Sequence, residues 1–166
     1  MAVQTGLAKP ASRPKASADR EKQKENGVFT SQKILLTWLI ESEDIFRQIE
    51  RYIVPEDFSE GLYRTVAELL YKQYENHEVN PAQIMNHFTD EEEHREVASL
   101  FHTRIKELTT IQEQEKALKE TVIRVKDYSI EEATKNLDPT DMAGLQRLMN
   151  AKRELQDLKA LHISIN

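Results

Sequence analysis

The fold is decided by residues 118–161, which read LKETVIRVKDYSIEEATKNLDPTDMAGLQRLMNAKRELQDLKAL. Leu118, Val122 and Val125 recur at the spacing i, i+4, i+7, which places them on one face of an α-helix. A second apolar face follows, made of Leu145, Leu148, Ala151, Leu155, Leu158 and Leu161. The stretch therefore predicts two amphipathic helices in succession.

Turn signals separate these two helices. Leu137 and Asp138 are expected to lie outside the first helix, because a residue before proline avoids the α region. Asp138 is then expected to cap the second helix, with Pro139 at its first position and Asp141 in its first turn. Because the connection is so short, the two helices are predicted to form an antiparallel hairpin.

The apolar faces of this hairpin allow two interpretations. The two faces can cover each other and do nothing more. Alternatively, part of the apolar surface is left for a partner, because a two-helix unit of this size buries little and is marginal unless it packs on something else. Both interpretations remain open from the periodicity alone.

Composition limits the class of protein. The chain has 166 residues and no cysteine, which excludes disulfides and thiolate zinc sites. Its longest apolar run, residues 34–40, is far shorter than the roughly 20 residues needed to span a bilayer. Glycine and proline are too scarce for the turns of an all-β protein. The sequence predicts an all-α, soluble, cytoplasmic protein.

Three segments are predicted along the chain. Residues 1–28 are expected to be a disordered basic linker, because they contain almost no large apolar side chains and more lysine and arginine than acid. Residues 29–127 are predicted to form a small multi-helix bundle, and residues 128–166 the C-terminal hairpin. The last boundary rests on Ser129 and Glu132, an S-x-x-E capping box that predicts a kinked or restarted helix there.

Start signals divide the bundle into short helices. Ser42 is expected to cap one helix, and Asn80 followed by Pro81 is expected to open another. Thr89 and Glu92 form a second capping box. Together with the apolar periodicity, these signals predict about six short helices before the hairpin.

No catalytic motif stands out. Glu91 and His94 match one half of a carboxylate di-metal motif, but no second Glu-x-x-His occurs in the sequence. The acidic run at residues 90–93 is explained by its place in the first turn of a helix, where it meets the positive end of the helix dipole. We therefore predict no catalytic residues, no metal site and no cofactor.

Four segments, taken in order, resemble a known family. They are SQKILLTWLI (residues 31–40), YIVPEDF (52–58), LYRTVAELL (62–70) and LQRLMNAKREL (145–155). From about residue 30 to 161, the chain resembles the C-terminal, helicase-binding domain of bacterial DNA primase. The individual motifs are loose, and their order carries the resemblance.

The resemblance implies a fold and a role. A helical bundle would be joined by a long helix to the C-terminal hairpin, and the domain would dock on the N-terminal domains of the hexameric replicative helicase. Such docking would couple priming to the replication fork in the bacterial replisome. The zinc-binding module and catalytic core of a whole primase are not in the sequence. The chain is thus expected to be non-catalytic, as an excised domain, a truncated gene product or a stand-alone adaptor.

The hairpin is expected to carry the partner-binding residues. Apolar anchors for helix-in-groove packing are expected at Met142, Leu145, Leu148 and Met149. A basic rim that sets partner choice is expected at Arg147, Lys152 and Arg153. Tyr128, at the junction of bundle and hairpin, completes the set. No direct nucleic-acid binding is expected beyond weak contact by the basic linker.

Two alternatives remain. The N-terminal domain of the replicative helicase resembles this bundle, and the turn at residues 55–58 suits it equally well. The leader before the bundle and the hairpin after it favour the primase domain. A generic helical adaptor is the third possibility.

Overall fold

The computed structural model describes residues 12–102 and 110–165. Every regular element in these two segments is helical and none is a strand, which confirms the all-α fold class. In chain order the elements are α1 (Ser12–Glu41), α2 (Glu43–Ile49), a 3₁₀ turn (Pro55–Asp57), α3 (Leu62–Glu75), α4 (Pro81–His87), α5 (Glu91–His102), α6 (Ile111–Asn136) and α7 (Met142–Ala160). Within the described segments, every helix is too short or too polar to cross a membrane.

The first helix begins earlier than the sequence predicts. Residues 12–28 continue α1 as helix, where a disordered linker is predicted; residues 1–11 lie outside the described segments. This part is rich in alanine, lysine, arginine, glutamate and glutamine, all good helix formers, so the packed half of α1 can propagate outward. Val28 is the first buried residue among the side chains described. The predicted boundary thus falls inside α1, at the first buried residue among the side chains described, and does not mark the start of the helix.

The bundle core is aromatic at its centre. Phe46 of α2 stacks on Tyr74 of α3, with ring centroids 4.2 Å apart, and meets Tyr71 edge-on at 4.8 Å. The Tyr74 hydroxyl donates to the carbonyl of Leu39, and the Tyr71 hydroxyl donates to the carbonyl of Ile53 at 2.6 Å. The rings therefore tie α1, α2 and α3 together by packing and by hydrogen bonds.

Two predicted caps are confirmed. The Ser42 hydroxyl accepts a hydrogen bond from the Ile45 amide at 3.2 Å and opens α2. The Asn80 side chain accepts from the Gln83 amide at 3.3 Å and opens α4, with Pro81 at its first position. Both are local contacts three residues apart, so the sequence alone identifies them.

The cap predicted for the next helix is wrong by one residue. The helix α5 begins at Glu91, and the Asp90 carboxylate accepts from the Glu93 amide at 3.1 Å. Thr89 precedes this position. An aspartate is at least as good a cap as threonine, and its charge also favours the helix N-terminus.

The predicted break in the long helix is also wrong. The helix α6 runs unbroken across residues 128 and 129, and the predicted domain boundary falls inside it. The Ser129 hydroxyl does not cap a helix; it donates to the Asp57 carboxylate at 2.8 Å. The cap of α6 is Thr110, which accepts from the Glu113 amide at 3.1 Å.

The turn before α7 uses its aspartates differently from the prediction. Asp141, not Asp138, is the N-cap of α7, and it accepts from the Gly144 amide at 2.9 Å. Asp138 instead accepts from the Thr140 amide at 2.9 Å and from the Thr140 hydroxyl at 2.8 Å. These bonds hold the pKa of the Asp138 carboxyl below its usual value. A β-carbon on Gly144 would clash with the capping carboxylate, so glycine allows this tight start.

The end of the chain returns to the bundle. After α7, Ile163 is buried in the main core. The Gln48 side-chain amide donates to the Ser164 carbonyl at 2.9 Å and accepts from the Ser164 amide at 2.9 Å. The Ile165 amide donates to the Glu115 carboxylate at 2.9 Å. These bonds anchor the C-terminal end of α7, which folds back along α6.

Candidate functional site

One face of α7 is covered by the rest of the chain. Leu148 and Leu155 pack with Ile130 of α6 in a small apolar cluster of their own, which we call the hairpin cluster. Leu158 belongs instead to the main core. Leu148 is only 6% exposed, so this predicted anchor is occupied inside the protein and does not belong to the exposed surface.

The adjoining side of α7 leaves large apolar side chains in solvent. Met142 is 72% exposed, Leu145 38% and Met149 52%. Their spacing of i, i+3, i+7 aligns them along one side of the helix, and we call them the α7 stripe. Single exposed apolar residues are ordinary on protein surfaces, whereas a contiguous group is typical of an interaction site.

Two of the three predicted basic residues extend this stripe. Lys152 and Arg153 are exposed and follow Met149 by three and four residues, which continues the same side of the helix. Arg147 lies on the other flank of α7, lining a cleft that also contains Glu56, and its guanidinium is 3.8 Å from the Asp141 carboxylate. The structure therefore brings two of the basic residues to the α7 stripe and separates the third.

Tyr128 lies in a different part of the surface. It is partly buried on α6 and lines a cleft of about 440 Å³ between α1, the 3₁₀ turn and α6. Phe29 of α1 and Glu132 of α6 line the same cleft. Tyr128 is therefore not part of the α7 stripe.

A buried ionic network links α7 to α6 and to the 3₁₀ turn. The Lys126 side chain is 2% exposed, and its ammonium lies 3.2 Å from the Asp57 carboxylate and 2.9 Å from that of Glu154. Asp57 also accepts from the Val54 amide at 2.9 Å and from the Ser129 hydroxyl at 2.8 Å. The network thus joins the 3₁₀ turn, α6 and α7 through fully partnered charges.

No role is predicted for Lys126 from the sequence, although its position in the apolar pattern of α6 indicates burial. Lys126 follows Val122 by four residues and Leu118 by eight, which puts it on the apolar face of α6. A lysine at such a position is buried only when its ammonium finds partners. Asp57 is 69 residues away in sequence, so the partner could not be named from local pattern.

Three tyrosines of the bundle have a raised pKa because they are buried, and not because they belong to a reactive site. Burial, with a hydrogen bond to Glu96, raises the pKa of Tyr63. Burial, with the nearby Asp57 carboxylate, raises the pKa of Tyr71. Burial also raises the pKa of Tyr74 to about 12. Each hydroxyl donates inside the bundle, so these shifts belong to packing.

Comparisons with protein-family models, with curated proteins and with solved structures find no match to this chain. Among residues 12–102 and 110–165, no group of three or more side chains is arranged to hold a metal ion. The described surface carries the exposed α7 stripe, which Lys152 and Arg153 extend. The buried contacts of Lys126 with Asp57 and Glu154 lie beneath α7.

Proposed function

We propose that this chain is a helicase-binding module of the bacterial primase type. In this proposal it docks on the N-terminal domains of the hexameric replicative helicase and couples priming to the replication fork in the bacterial replisome. The observation that carries the proposal is the α7 stripe, which leaves Met142, Leu145 and Met149 in solvent on a helix anchored to a bundle. The order of the four resembling segments supports this choice of partner.

Docking is proposed to occur by helix-in-groove packing. The α7 stripe would enter an apolar groove between helices of the partner domain. Full burial of a leucine or methionine side chain is worth about 1.5–3 kcal/mol, so three partly exposed ones supply a substantial part of a binding energy. Methionine is unbranched and adapts to an irregular groove, which suits the two outer positions of the stripe.

The basic extension is proposed to orient the complex. Lys152 and Arg153 would meet acidic side chains at the edge of the partner's groove. Exposed charges of this kind contribute more to association rate and partner choice than to affinity, and salt screens them over about 10 Å at 0.1 M. Binding is therefore expected to weaken moderately as ionic strength rises.

The chain is proposed to act without catalysis of its own. Its contribution would be to hold an attached catalytic unit near the helicase, which raises the local concentration of that unit. This role requires only a stable bundle and an accessible docking surface.

Calorimetric titration tests the proposal. The intact chain is titrated into the purified N-terminal domain of a bacterial replicative helicase, at several temperatures and salt concentrations. We expect saturable binding with a negative heat-capacity change, because apolar surface is buried. An absence of binding at the highest soluble concentrations, confirmed by separate elution on size exclusion, would overturn the proposal.

A further inference from the structure

We propose that Lys126 is a positioning residue, which sets the orientation of α7, and hence of the α7 stripe, against the bundle. It would do so through its contacts with Asp57 and Glu154. The consequence for docking rests on the proposed function, whereas the consequence for the position of α7 does not.

Lys126 lies where two apolar regions of the protein meet. On one side is the hairpin cluster, which includes Leu155, and on the other is the main core, which includes Leu158. Glu154 directly precedes Leu155 in sequence and bonds the Lys126 ammonium at 2.9 Å. The ionic contact therefore holds α7 at the point where its apolar face passes from one region to the other.

The bundle side of the network is rigidly held. Asp57 ends the 3₁₀ turn, and its carboxylate is fixed by the Val54 amide and the Ser129 hydroxyl as well as by Lys126. The ammonium is therefore placed by groups that belong to the 3₁₀ turn and α6. Glu154 is the α7 group that reaches this fixed point, so its position determines where α7 lies.

Apolar packing alone is a poor guide to orientation. Burial of leucine side chains is non-directional and depends mainly on the area removed from water, so small rotations of α7 cost little. A charge-assisted hydrogen bond has narrow limits of distance and angle. One such bond to a buried ammonium therefore distinguishes arrangements that apolar contacts leave nearly equal.

Stability does not explain why a lysine is buried here. Removing an ammonium and a carboxylate from water is costly, and well-packed apolar residues often stabilise a protein as much or more. The best-attested use of buried ionic groups is to specify one register among several. Lys126 is placed for such a use, because its ammonium joins α6 to the 3₁₀ turn and to α7.

The test is placed at Glu154, because Lys126→Met would leave the Asp57 carboxylate buried without its cation. The Glu154 side chain is 41% exposed, and its replacement leaves the buried Lys126 ammonium still paired with the Asp57 carboxylate. Glu154→Ala removes the contact, and Glu154→Gln keeps a hydrogen-bond acceptor. Asp157→Ala is the matched control, since Asp157 is an exposed acid on the same helix.

The first readout is the position of α7. Because the chain has no cysteine, spin labels can be attached at Ala143→Cys on α7 and Glu68→Cys on α3, both exposed positions. Electron–electron double resonance then gives the distance distribution between them. We expect a narrow distribution for the unmutated background, Asp157→Ala and Glu154→Gln, and a broadened or shifted one for Glu154→Ala.

The second readout is affinity for the helicase N-terminal domain. Glu154→Ala is expected to weaken binding about tenfold, as is typical of conformational coupling, while Asp157→Ala and Glu154→Gln remain within about twofold of the background. Broadening without loss of affinity would support the positioning of α7 by Lys126 and would overturn its consequence for docking, because orientation would then not matter to binding. Loss of affinity without broadening would overturn the positioning role, because Glu154 would then be a direct contact.

The two proposals fail in different ways. If the unmutated chain does not bind the helicase domain, the proposed function fails and the distance distribution alone decides whether Lys126 positions α7. If the unmutated chain binds but Glu154→Ala matches Asp157→Ala in both readouts, Lys126 has no positioning role and the proposed function stands.

Discussion

The bundle and the hairpin differ in how their apolar side chains are placed. In the bundle, Phe46 and Tyr74 are each 2% exposed and lie in an extensive core. In the hairpin, the separate cluster is built on Ile130, Leu148 and Leu155, while the three residues of the α7 stripe remain in solvent. The bundle therefore holds the larger core, and α7 leaves a row of apolar side chains in solvent.

High pH is expected to have the largest effect, and it acts on the bundle. The buried tyrosines stay neutral in the folded state, where the pKa of Tyr74 is raised to about 12, while tyrosines of an unfolded chain ionise near pH 10. A raised pKa gives stability that is complete below pH 10 and is lost as pH rises toward 12. Tyrosinate absorbance and circular dichroism should therefore change together. Titration of all tyrosines near pH 10 with helicity retained would contradict this.

A core truncation in the bundle comes next. Phe46→Ala is expected to reduce the free energy of unfolding by about 3–5 kcal/mol, because it removes a buried ring and leaves a cavity. The substitution also removes the stacking of the Phe46 ring on Tyr74 and its edge contact with Tyr71. The measurement is urea denaturation followed by circular dichroism. Phe29→Ala is the matched control, since that ring is 41% exposed, and equal losses for the two variants would contradict the burial pattern.

The hairpin cluster should give a smaller and more local effect. Leu148→Ala is expected to cost about 2–3 kcal/mol, at the low end for a buried leucine, because a small surface cluster can partly collapse around the gap. Hydrogen exchange should rise in α7 and the adjoining part of α6 before it rises in α1 to α3. Leu145→Ala, three residues earlier and 38% exposed, provides the comparison. Uniform exchange across bundle and hairpin would show that the two regions unfold as one.

The α7 stripe should matter least to stability. Replacing Met142, Leu145 and Met149 together by glutamine is expected to change the free energy of unfolding by less than about 1 kcal/mol, since exposed substitutions usually have small effects. Thermal unfolding by circular dichroism measures this. A large loss would mean that the stripe packs against the protein and is not a free surface.

The fold could be predicted where local contacts decide it. The caps at Ser42 and Asn80 depend on amides three residues away, and apolar periodicity placed the long helices. The same local pattern misled at Ser129. The helix α6 continues through this position, so no cap is needed. The Ser129 hydroxyl instead bonds Asp57, which is 72 residues away in sequence.

The proposed docking surface could be predicted only in part. Periodicity puts Leu145 and Leu148 on one continuous apolar face of α7. It does not show which residues of that face are buried against α6 and which remain in solvent. The position of Ile130 on α6 decides this, because it buries Leu148 and leaves Leu145 half-exposed. The burial of Lys126 likewise depends on partners from two other elements. Contacts between distant segments could not be predicted from the sequence, and the helical state of residues 12–28 was missed as well.

The most direct measurement is the affinity of the stripe variant for the N-terminal domain of the replicative helicase. Met142→Gln, Leu145→Gln and Met149→Gln are combined in one chain and compared with Val79→Gln and Ile111→Gln, which alter exposed apolar residues of the bundle. We expect the stripe variant to bind more than about tenfold more weakly than the unmutated chain, as for the loss of central anchors, and the bundle variant to bind normally. Equal affinities for all three chains would contradict a docking role for the α7 stripe.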